Sequence, residues 1–174
     1  MDVSIFGASG YAGGQLLKLI AKHPIFNLKY AFAETKAGTK ISNEHTFLTE
    51  IYDQEFESYD KSKVSKDDIL LFALPHGQSG KLINNFLDHQ IVDLGADFRL
   101  KEENNWHKYY EGVYAGSWVY GLPEIKGRNE LITKSKHVAN PGCYATVINL
   151  SLAPFLQEKL IDLNFISVVG ISGT

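Results

Sequence analysis

The stretch that decides the fold is VSIFGASGYAGGQLLKLIAKHP, residues 3–24. Its first four residues form a short apolar run, residues 7–14 form a glycine-rich turn, and leucine and isoleucine then recur at helical spacing. Pro24 stops that helix, and a second apolar run follows at residues 28–33. A strand, a glycine turn, a helix and a strand in this order predict a parallel, right-handed βαβ unit.

The rest of the chain continues to alternate apolar runs with helical patterns. The further predicted elements are strands at 55–59, 69–74, 91–94 and 165–170, and helices at 82–87 and 144–159. Residues 34–66 predict a long polar excursion, and residues 97–132 predict a region dominated by loops. This alternation is typical of an α/β fold with a Rossmann-type, doubly wound, mostly parallel sheet.

Composition excludes several classes of protein. The 174 residues carry a net charge of −3 and include one cysteine, so no intramolecular disulfide can form and no clustered basic footprint for nucleic acid is indicated. We find no pattern typical of a signal peptide and no run of roughly 18 apolar residues, so no membrane partner is predicted. We expect a cytoplasmic protein without a metal site.

The glycine turn predicts a phosphate-binding loop. Gly7, Gly10 and Gly13 form a G-x-x-G-x-x-G pattern between a strand and a helix. Glycines allow a sharp turn and close approach of the backbone to a pyrophosphate, which the free N–H groups of the following helix then bind. The hydroxyl of Ser9 can add a donor. The alternative is a tight turn between strand and helix that binds no ligand.

The choice between the two nicotinamide dinucleotides rests on the end of the second strand. An acid about 20 residues beyond the glycines favours NAD, and a basic group favours the 2′-phosphate of NADP. Glu34 and Lys36 stand here on either side of Thr35, so the residues alone leave both cofactors open. A solvated loop charge is the alternative for either residue.

Cys143 is the candidate nucleophile. It follows Asn140 and Gly142 and opens an apolar helix. The helix dipole and unpaired N–H groups stabilise a thiolate at such a position. Asn140 is expected either to cap the helix or to donate a hydrogen bond to a developing oxyanion. The alternative is an inert buried thiol.

Five ordered segments together resemble the N-acetyl-gamma-glutamyl-phosphate reductase family, and the resemblance covers essentially the whole chain. The segments are GASGYAG at 7–13, ALPHG at 73–77, DLGADFRL at 93–100, YGLPE at 120–124 and NPGCYAT at 140–146. The related aspartate-semialdehyde dehydrogenases share architecture and chemistry, but the segments around Arg99 and Cys143 are more similar to the reductase family.

The resemblance implies an activity and a set of site residues. The implied reaction is reduction of N-acetyl-L-glutamyl 5-phosphate by NADPH in arginine biosynthesis, through a thioester on Cys143. In that reaction Arg99 is the candidate for holding the substrate phosphate, since its planar guanidinium suits two oxygen contacts, and Asn140 is the second candidate substrate-binding residue. The alternative for Arg99 is a surface or structural arginine. The implied cofactor-binding residues are Gly7, Ser9, Gly10, Tyr11, Ala12, Gly13, Thr35, Lys36 and Pro75.

The resemblance assigns no proton-transfer role to the histidines of this chain. His76 is expected to line the cofactor side, because the acid/base histidine of the family lies in the second half of those enzymes. The five other histidines are expected to be solvated: His23, His45, His89, His107 and His137.

The resemblance also predicts the domain organisation. Residues 1–142 are expected to form the dinucleotide-binding domain, and residues 143–174 the start of a second, truncated α+β domain. The family continues past Thr174 through another glycine-rich turn, so we expect this chain to bind nucleotide but turn over poorly. We expect a homo-oligomer for the full-length protein. The alternative functions are an aspartate-semialdehyde dehydrogenase-type reductase and a non-catalytic nucleotide-binding module.

Overall fold

A computed structural model of the chain describes residues 1–171. Six strands are present: β1 (Asp2–Phe6), β2 (Asn27–Phe32), β3 (Ile69–Phe72), β4 (Gln90–Asp93), β5 (Val119–Tyr120) and β6 (His137–Ala139). The helices are α1 (Tyr11–Ala21), α2 (Ile41–Glu44), α3 (Ser79–Ile83), α4 (Glu103–Tyr109), α5 (Arg128–Lys134) and α6 (Cys143–Gln157). The strands form one sheet in the order β2-β1-β3-β4-β6-β5, and every pair is parallel. The predicted doubly wound α/β fold is therefore confirmed.

Two apolar cores cover the two faces of the sheet, because successive side chains of a strand point to opposite faces. One core contains Val3, Ile5, Ala8, Leu17, Ile20, Ala31, Ala33, Ile41, Leu48 and Phe56. The other contains Phe6, Phe32, Leu70, Phe72, Leu74, Ile83, Phe86, Ile91, Phe98 and Ala139. In this second core the Phe6 ring stacks 4.4 Å from Phe72 and lies 4.8 Å from Phe32. These in-register aromatic side chains pack across β2, β1 and β3 and favour that alignment of the three strands.

The strand order reverses between β1 and β3. From β1 the chain runs outward to β2 and then crosses back to β3 on the other side of β1. Helices and loops leave in opposite directions at such a point, so a crevice opens beyond the carboxyl ends of the two strands. The glycine turn begins at the carboxyl end of β1 and therefore lies at this crevice.

The polar excursion at 34–66 contains no regular strand near 55–59. Isolated bridges, Phe32 with Glu57 and Lys40 with Glu55, take its place at the sheet edge. Buried Leu48 and Phe56 hold the excursion to the core that contains α1. Burial of single apolar residues, rather than strand periodicity, orders this segment.

The prediction of a loop-dominated region at 97–132 is confirmed, because most of these residues lie outside helices and strands, but three short elements within it were not predicted. The segment contains α4, β5 and the start of α5. Trp106 is the buried residue of α4, and α5 buries none. Helices of seven residues with so little buried surface leave no periodic apolar pattern in the sequence.

The chain after Cys143 agrees with the sequence only in part. The predicted long helix is confirmed as α6, whereas no strand forms over 165–171, where a 3₁₀ turn at Leu163–Phe165 precedes irregular chain. An apolar run forms a strand only beside another strand, and no strand lies next to this one in the described part of the chain. The predicted glycine turn at 172–174 lies outside the described residues. No helix within residues 1–171 is long and apolar enough to cross a membrane.

Candidate active site

The glycine turn is packed so closely that only glycine fits at two of its positions. Gly7 has φ +84°, and a Cβ there would lie 2.4 Å from the carbonyl oxygen of Ala73. A Cβ on Gly13 would lie 2.4 Å from the carbonyl oxygen of Gly7. The turn is anchored to β2, because the backbone N–H groups of Gly7 and Ala8 both donate to Phe32 O. Close packing of strand, turn and helix requires glycine here.

A pocket of about 550 Å³ opens at the crevice between β1 and β3, and we call it the loop crevice. Its lining is Gly7, Ser9, Gly10, Tyr11, Ala12, Ala33, Glu34, Thr35, Tyr59, Ala73, Leu74, Pro75 and Gln78. The structure thus brings together all the cofactor residues named from the sequence except Gly13, which is buried behind the turn, and Lys36.

The loop crevice fits the diphosphate of a dinucleotide. Gly10 is the N-cap of α1, no side chain caps the helix, and its first turn carries no acidic residue. The first N–H groups of α1 therefore keep their donor capacity, and the positive end of the helix dipole faces the crevice. The two close-packed glycines let the backbone approach a bound phosphate. These features meet the requirements of a pyrophosphate site.

Glu34 and Lys36, the residues that left the cofactor choice open, have different surroundings. The Glu34 carboxylate lines the loop crevice and accepts a hydrogen bond from the backbone N–H of Tyr59 at 3.0 Å. Lys36 lies outside the lining, with its Nζ 2.7 Å from Oε1 of Glu44. Both partners of that ion pair are partly exposed, so the pair is weak and Lys36 can exchange it for another anion.

Two polar lining residues, Tyr59 and Gln78, were missed by sequence reasoning. Tyr59 packs edge-on to Phe32, and burial raises the pKa of its hydroxyl, with a smaller contribution from Glu34. Tyr59 sits in the polar excursion, where no pattern pointed to the crevice. Gln78 follows the carboxyl end of β3, and that position was an available signal.

Cys143 is an exposed thiol at the first position of α6. Gly142 is the N-cap, and no side chain caps the helix. The cysteine opens onto a pocket of about 310 Å³, which we call the cysteine pocket. Its lining is Arg99, Leu100, Tyr110, Tyr120, Gly142, Cys143, Tyr144 and Ala145. The thiol is therefore accessible to a small molecule, as a nucleophile must be.

Arg99 joins the loop after β4 to the turn before Cys143. Its Nε donates to Asn140 O at 2.8 Å, and its Nη2 donates to Leu94 O at 2.6 Å. A Cβ on Gly142 would lie 3.1 Å from Nη1 of Arg99, so the guanidinium covers the residue before the cysteine. Two nitrogens of the Arg99 guanidinium therefore donate to backbone carbonyls, and the third, Nη1, lies beside the cysteine pocket.

Asn140 does not cap α6, so that alternative is wrong. Its backbone N–H donates to Asp93 O at 2.7 Å, and its side-chain Nδ2 donates to Pro141 O at 3.2 Å. Gly142 occupies the N-cap position instead. The turn through buried Pro141 places Gly142, rather than Asn140, next to the first free N–H groups of the helix. The oxyanion role of Asn140 stays a prediction.

Beneath this turn, Asp93 is a buried carboxyl at the end of β4. Burial raises its pKa to about 6, although a hydrogen bond from the Gly95 backbone N–H opposes the shift. The carboxyl lies one residue before Leu94, whose carbonyl binds Arg99.

Three of the six histidines differ from their expected positions. His76 is absent from the linings of both pockets and instead lies near Tyr110, with its Nδ1 4.0 Å from Asp97 Oδ2. The expectation that the other five histidines are solvated is wrong for His45 and His89, which are each 6% exposed. Both place one ring nitrogen on a backbone carbonyl, whereas Nε2 of His89 is buried without a hydrogen-bond partner within residues 1–171.

The two pockets lie along one edge of the sheet. The loop crevice follows the carboxyl ends of β1, β2 and β3, and the cysteine pocket follows those of β4, β5 and β6. No cluster of His, Cys, Asp and Glu that could hold a metal ion occurs in the described part of the chain. The fold and the glycine turn define a dinucleotide-binding domain, and an accessible cysteine lies on the same edge of its sheet.

The chain belongs to the semialdehyde dehydrogenase family, because the family model described as "Semialdehyde dehydrogenase, NAD binding domain" matches residues 2–134. This match supports the prediction of a nicotinamide cofactor. It also confirms that the glycine turn belongs to a dinucleotide-binding domain.

Curated relatives carry the name that the sequence motifs suggested. The N-acetyl-gamma-glutamyl-phosphate reductase of Acidothermus cellulolyticus is 44% identical over 173 residues, which are 99% of this chain and 50% of the relative. The reductase of the same name from Salinispora tropica is 42% identical, over 98% of this chain and 51% of the relative. These matches confirm the resemblance. The chain spans about half the length of the curated relatives it matches.

Solved structures share the fold. An aspartate semialdehyde dehydrogenase II from Vibrio cholerae aligns with a TM-score of 0.57 at 16% identity, over 90% of this chain and 46% of that one. The aspartate semialdehyde dehydrogenase from Candida albicans, solved with NADP, aligns with a TM-score of 0.60 at 14% identity, over 90% and 47%. At this identity the likeness establishes the Rossmann-type fold.

Proposed function

We propose that this chain carries the cofactor site and the nucleophile of an N-acetyl-gamma-glutamyl-phosphate reductase. The proposed reaction converts N-acetyl-L-glutamyl 5-phosphate to N-acetyl-L-glutamate 5-semialdehyde and phosphate, in arginine biosynthesis. The observation that carries the proposal is the exposed Cys143 thiol at the start of α6, in a pocket shared with Arg99. The names of the curated relatives add independent support.

The first half of the proposed reaction uses residues of this chain. The Cys143 thiolate attacks the acyl carbon, the bond from that carbon to the phosphate oxygen breaks, and phosphate leaves with its electron pair. The product on the protein is a thioester. The first N–H groups of α6, the helix that Cys143 begins, have no side-chain cap and keep their donor capacity.

The second half would require a reduced nicotinamide dinucleotide, which would supply a hydride to the thioester carbon as the carbonyl π electrons move to oxygen to form a thiohemiacetal anion. The thiohemiacetal on Cys143 then breaks its carbon–sulfur bond, releases the aldehyde and returns the thiolate. One proton is consumed per turnover and is taken up by the leaving phosphate, while the acyl phosphate is reduced to the aldehyde and the dinucleotide is oxidised. Cys143 thus acts once as nucleophile and once as leaving group.

Arg99 and Asn140 are the proposed substrate-binding residues. Nη1 of Arg99 lies beside the cysteine pocket, where a guanidinium suits phosphate oxygens. The Asn140 amide has one weak contact, to Pro141 O at 3.2 Å, and can turn to donate to an oxyanion. Both are linked by the hydrogen bond from Arg99 Nε to Asn140 O.

We propose NADPH as the reductant, bound in the loop crevice. Its diphosphate would lie on the turn at Ser9 and Gly10 and on the start of α1, with Thr35 and Pro75 at the sides of the crevice. Lys36 would leave Glu44 to pair with the 2′-phosphate. The weak, exposed ion pair makes that exchange inexpensive in free energy.

The remaining proposals concern the whole protein. We propose a small-molecule acyl phosphate as partner, without nucleic acid or membrane. We further propose a homo-oligomer for the full-length protein and a cytoplasmic location, which the single cysteine supports.

A half-reaction tests the function without requiring full turnover. The chain is mixed with N-acetylglutamyl phosphate, and we expect about one equivalent of phosphate with an acyl adduct on Cys143 by mass spectrometry. Cys143→Ala should release no phosphate above the uncatalysed rate. Faster release from β-aspartyl phosphate would favour an aspartate-semialdehyde dehydrogenase-type enzyme. Absence of any adduct with either substrate would favour a non-catalytic nucleotide-binding module.

A further inference from the structure

His45 is a buried residue that contacts the glycine turn from below. It directly follows α2, and its Nε2 lies 2.8 Å from the carbonyl oxygen of Ala8, 37 positions away in the chain. A carbonyl oxygen only accepts, so Nε2 carries the hydrogen and donates it. The contact therefore places a ring hydrogen on Nε2 of His45. It also fixes the direction of the peptide group between Ala8 and Ser9 in the turn.

The ring is held firmly in this place. A Cβ on Gly14 would lie 2.6 Å from Cε1 of His45, so the imidazole fills the space that a side chain on α1 would need. The Phe56 ring meets it edge-on at 6.0 Å, and the Phe47 ring lies 5.7 Å away. With 6% of its surface exposed, His45 has little freedom to release the carbonyl.

The fixed carbonyl decides where the next N–H group points. The peptide between Ala8 and Ser9 is trans, and in a trans peptide the C=O and N–H groups point in opposite directions. Ala8 is fully buried on the His45 side, whereas Ser9 lines the loop crevice. The Ser9 N–H consequently points toward the crevice. It donates to no acceptor within residues 1–171.

We propose that His45 is a positioning residue for the diphosphate of the cofactor. Its Nε2–H holds the Ala8 carbonyl so that the Ser9 N–H is oriented in advance toward a phosphate oxygen. An N–H that is oriented before binding donates without the cost of reordering the turn. This inference rests on the proposed binding of a dinucleotide in the loop crevice.

The test compares affinities in the full chain for two ligands, NADPH and 2′-AMP, where the second has no diphosphate. His45→Phe keeps an aromatic ring of similar shape and removes the donor. We expect NADPH to bind about tenfold more weakly, the loss of roughly one hydrogen bond. We expect the affinity for 2′-AMP to stay within about twofold. The Ser9 amide resonance should shift in the variant before ligand is added.

Two variants guard against a general loss of structure. His89→Phe is the matched control, because His89 is equally buried and also bonds a carbonyl, that of Phe86, away from the crevice. It should leave both affinities unchanged. His45→Gln places an amide N–H near the position of Nε2 and should restore most of the NADPH affinity.

The outcomes distinguish a failure of the positioning role of His45 from a failure of the proposed cofactor site. Unchanged NADPH affinity in His45→Phe would overturn the positioning role while the proposed cofactor site stands. Equal losses for NADPH and 2′-AMP, or no rescue by His45→Gln, would also overturn it in favour of a structural role. Failure of the unmutated chain to bind NADPH would overturn the proposed cofactor site and the inference together.

Discussion

The loop crevice and the cysteine pocket lie on the same edge of one sheet but are built in different ways. The turn at the loop crevice is held by strand, helix and excursion at once, with glycine required by contact at Gly7 and Gly13. At the cysteine pocket, Arg99 ties the turn before Cys143 to the loop after β4, and the Asn140 backbone N–H ties the same turn to Asp93. The first site is enclosed by packing, and the second is held by a few polar contacts.

The helices that follow the two sites show the same difference. α1 buries Gly13, Gly14, Leu17 and Ile20 against the sheet, whereas α6 has no buried residue despite its apolar sequence. The sites therefore differ in how strongly the fold supports them. Substitutions in the first region should affect stability, and those in the second should chiefly affect chemistry.

The largest expected effect is a difference in stability between two substitutions, one at an apolar residue of α1 and one at an apolar residue of α6. Leu17→Ala should lower the free energy of unfolding by about 2–5 kcal/mol, because Leu17 is fully buried and its loss leaves a cavity. Val147→Ala should change it by less than about 0.5 kcal/mol, because Val147 is 64% exposed on α6. Urea unfolding measures both. A large loss for Val147→Ala would remove the contrast between the two regions.

A smaller effect is expected at Asp93, under the turn that holds the cysteine. Burial raises the pKa of its carboxyl from 3.8 to about 6, so the folded protein holds this proton more tightly than the unfolded chain. The protonated Asp93 carboxyl makes its full contribution to the free energy of unfolding below about pH 4. This contribution is lost as the pH rises through about 6. The loss is roughly 3 kcal/mol.

Asp93→Asn removes this titration and keeps an amide oxygen for the Gly95 N–H. Relative to the unmutated protein, the variant should become more stable by about 3 kcal/mol between pH 4 and pH 7. Urea unfolding at several pH values measures this difference. A pH-independent difference would show that the Asp93 carboxyl is ionised over this whole range.

The smallest effect concerns selectivity at the loop crevice. Lys36→Ala should reduce the preference for NADPH over NADH about fivefold, the value of one exposed charge pair. Glu44→Gln is the matched control, since it frees Lys36 from its ion pair and should leave the preference intact or raise it. Fluorescence titration with both dinucleotides measures the ratio. An unchanged ratio in Lys36→Ala would assign selectivity to Glu34 and Thr35.

Sequence reasoning succeeded where the signal is local. The turn from Gly7 to Gly13, the apolar strands and the helix after Cys143 are contiguous in the chain, so spacing and residue type were sufficient to predict them. It failed for the strand at 165–170, because a strand requires a neighbour that sequence does not supply. It failed for α4 and α5 because short helices with one buried residue or none carry no periodic pattern.

The site residues were likewise predicted where the signal is local and missed where the contact joins distant segments. Sequence placed Cys143 at the start of a helix and the glycines at a turn, but it could not indicate that Lys36 pairs with Glu44 or that Tyr59 lines the crevice. Those contacts join residues from separate segments. Their partners depend on how the excursion folds back over β2.

By itself, the sequence determined the α/β alternation, the glycine turn, the cysteine at a helix start and the family, since each is carried by consecutive residues. Only the tertiary structure decided that Arg99 binds the turn of Asn140 and that His45 lies beneath Ala8. A buried polar group must find a partner, and the partner is whichever group the packing brings within hydrogen-bond distance. That distance is a property of the folded chain, because the residues concerned lie about 40 positions apart.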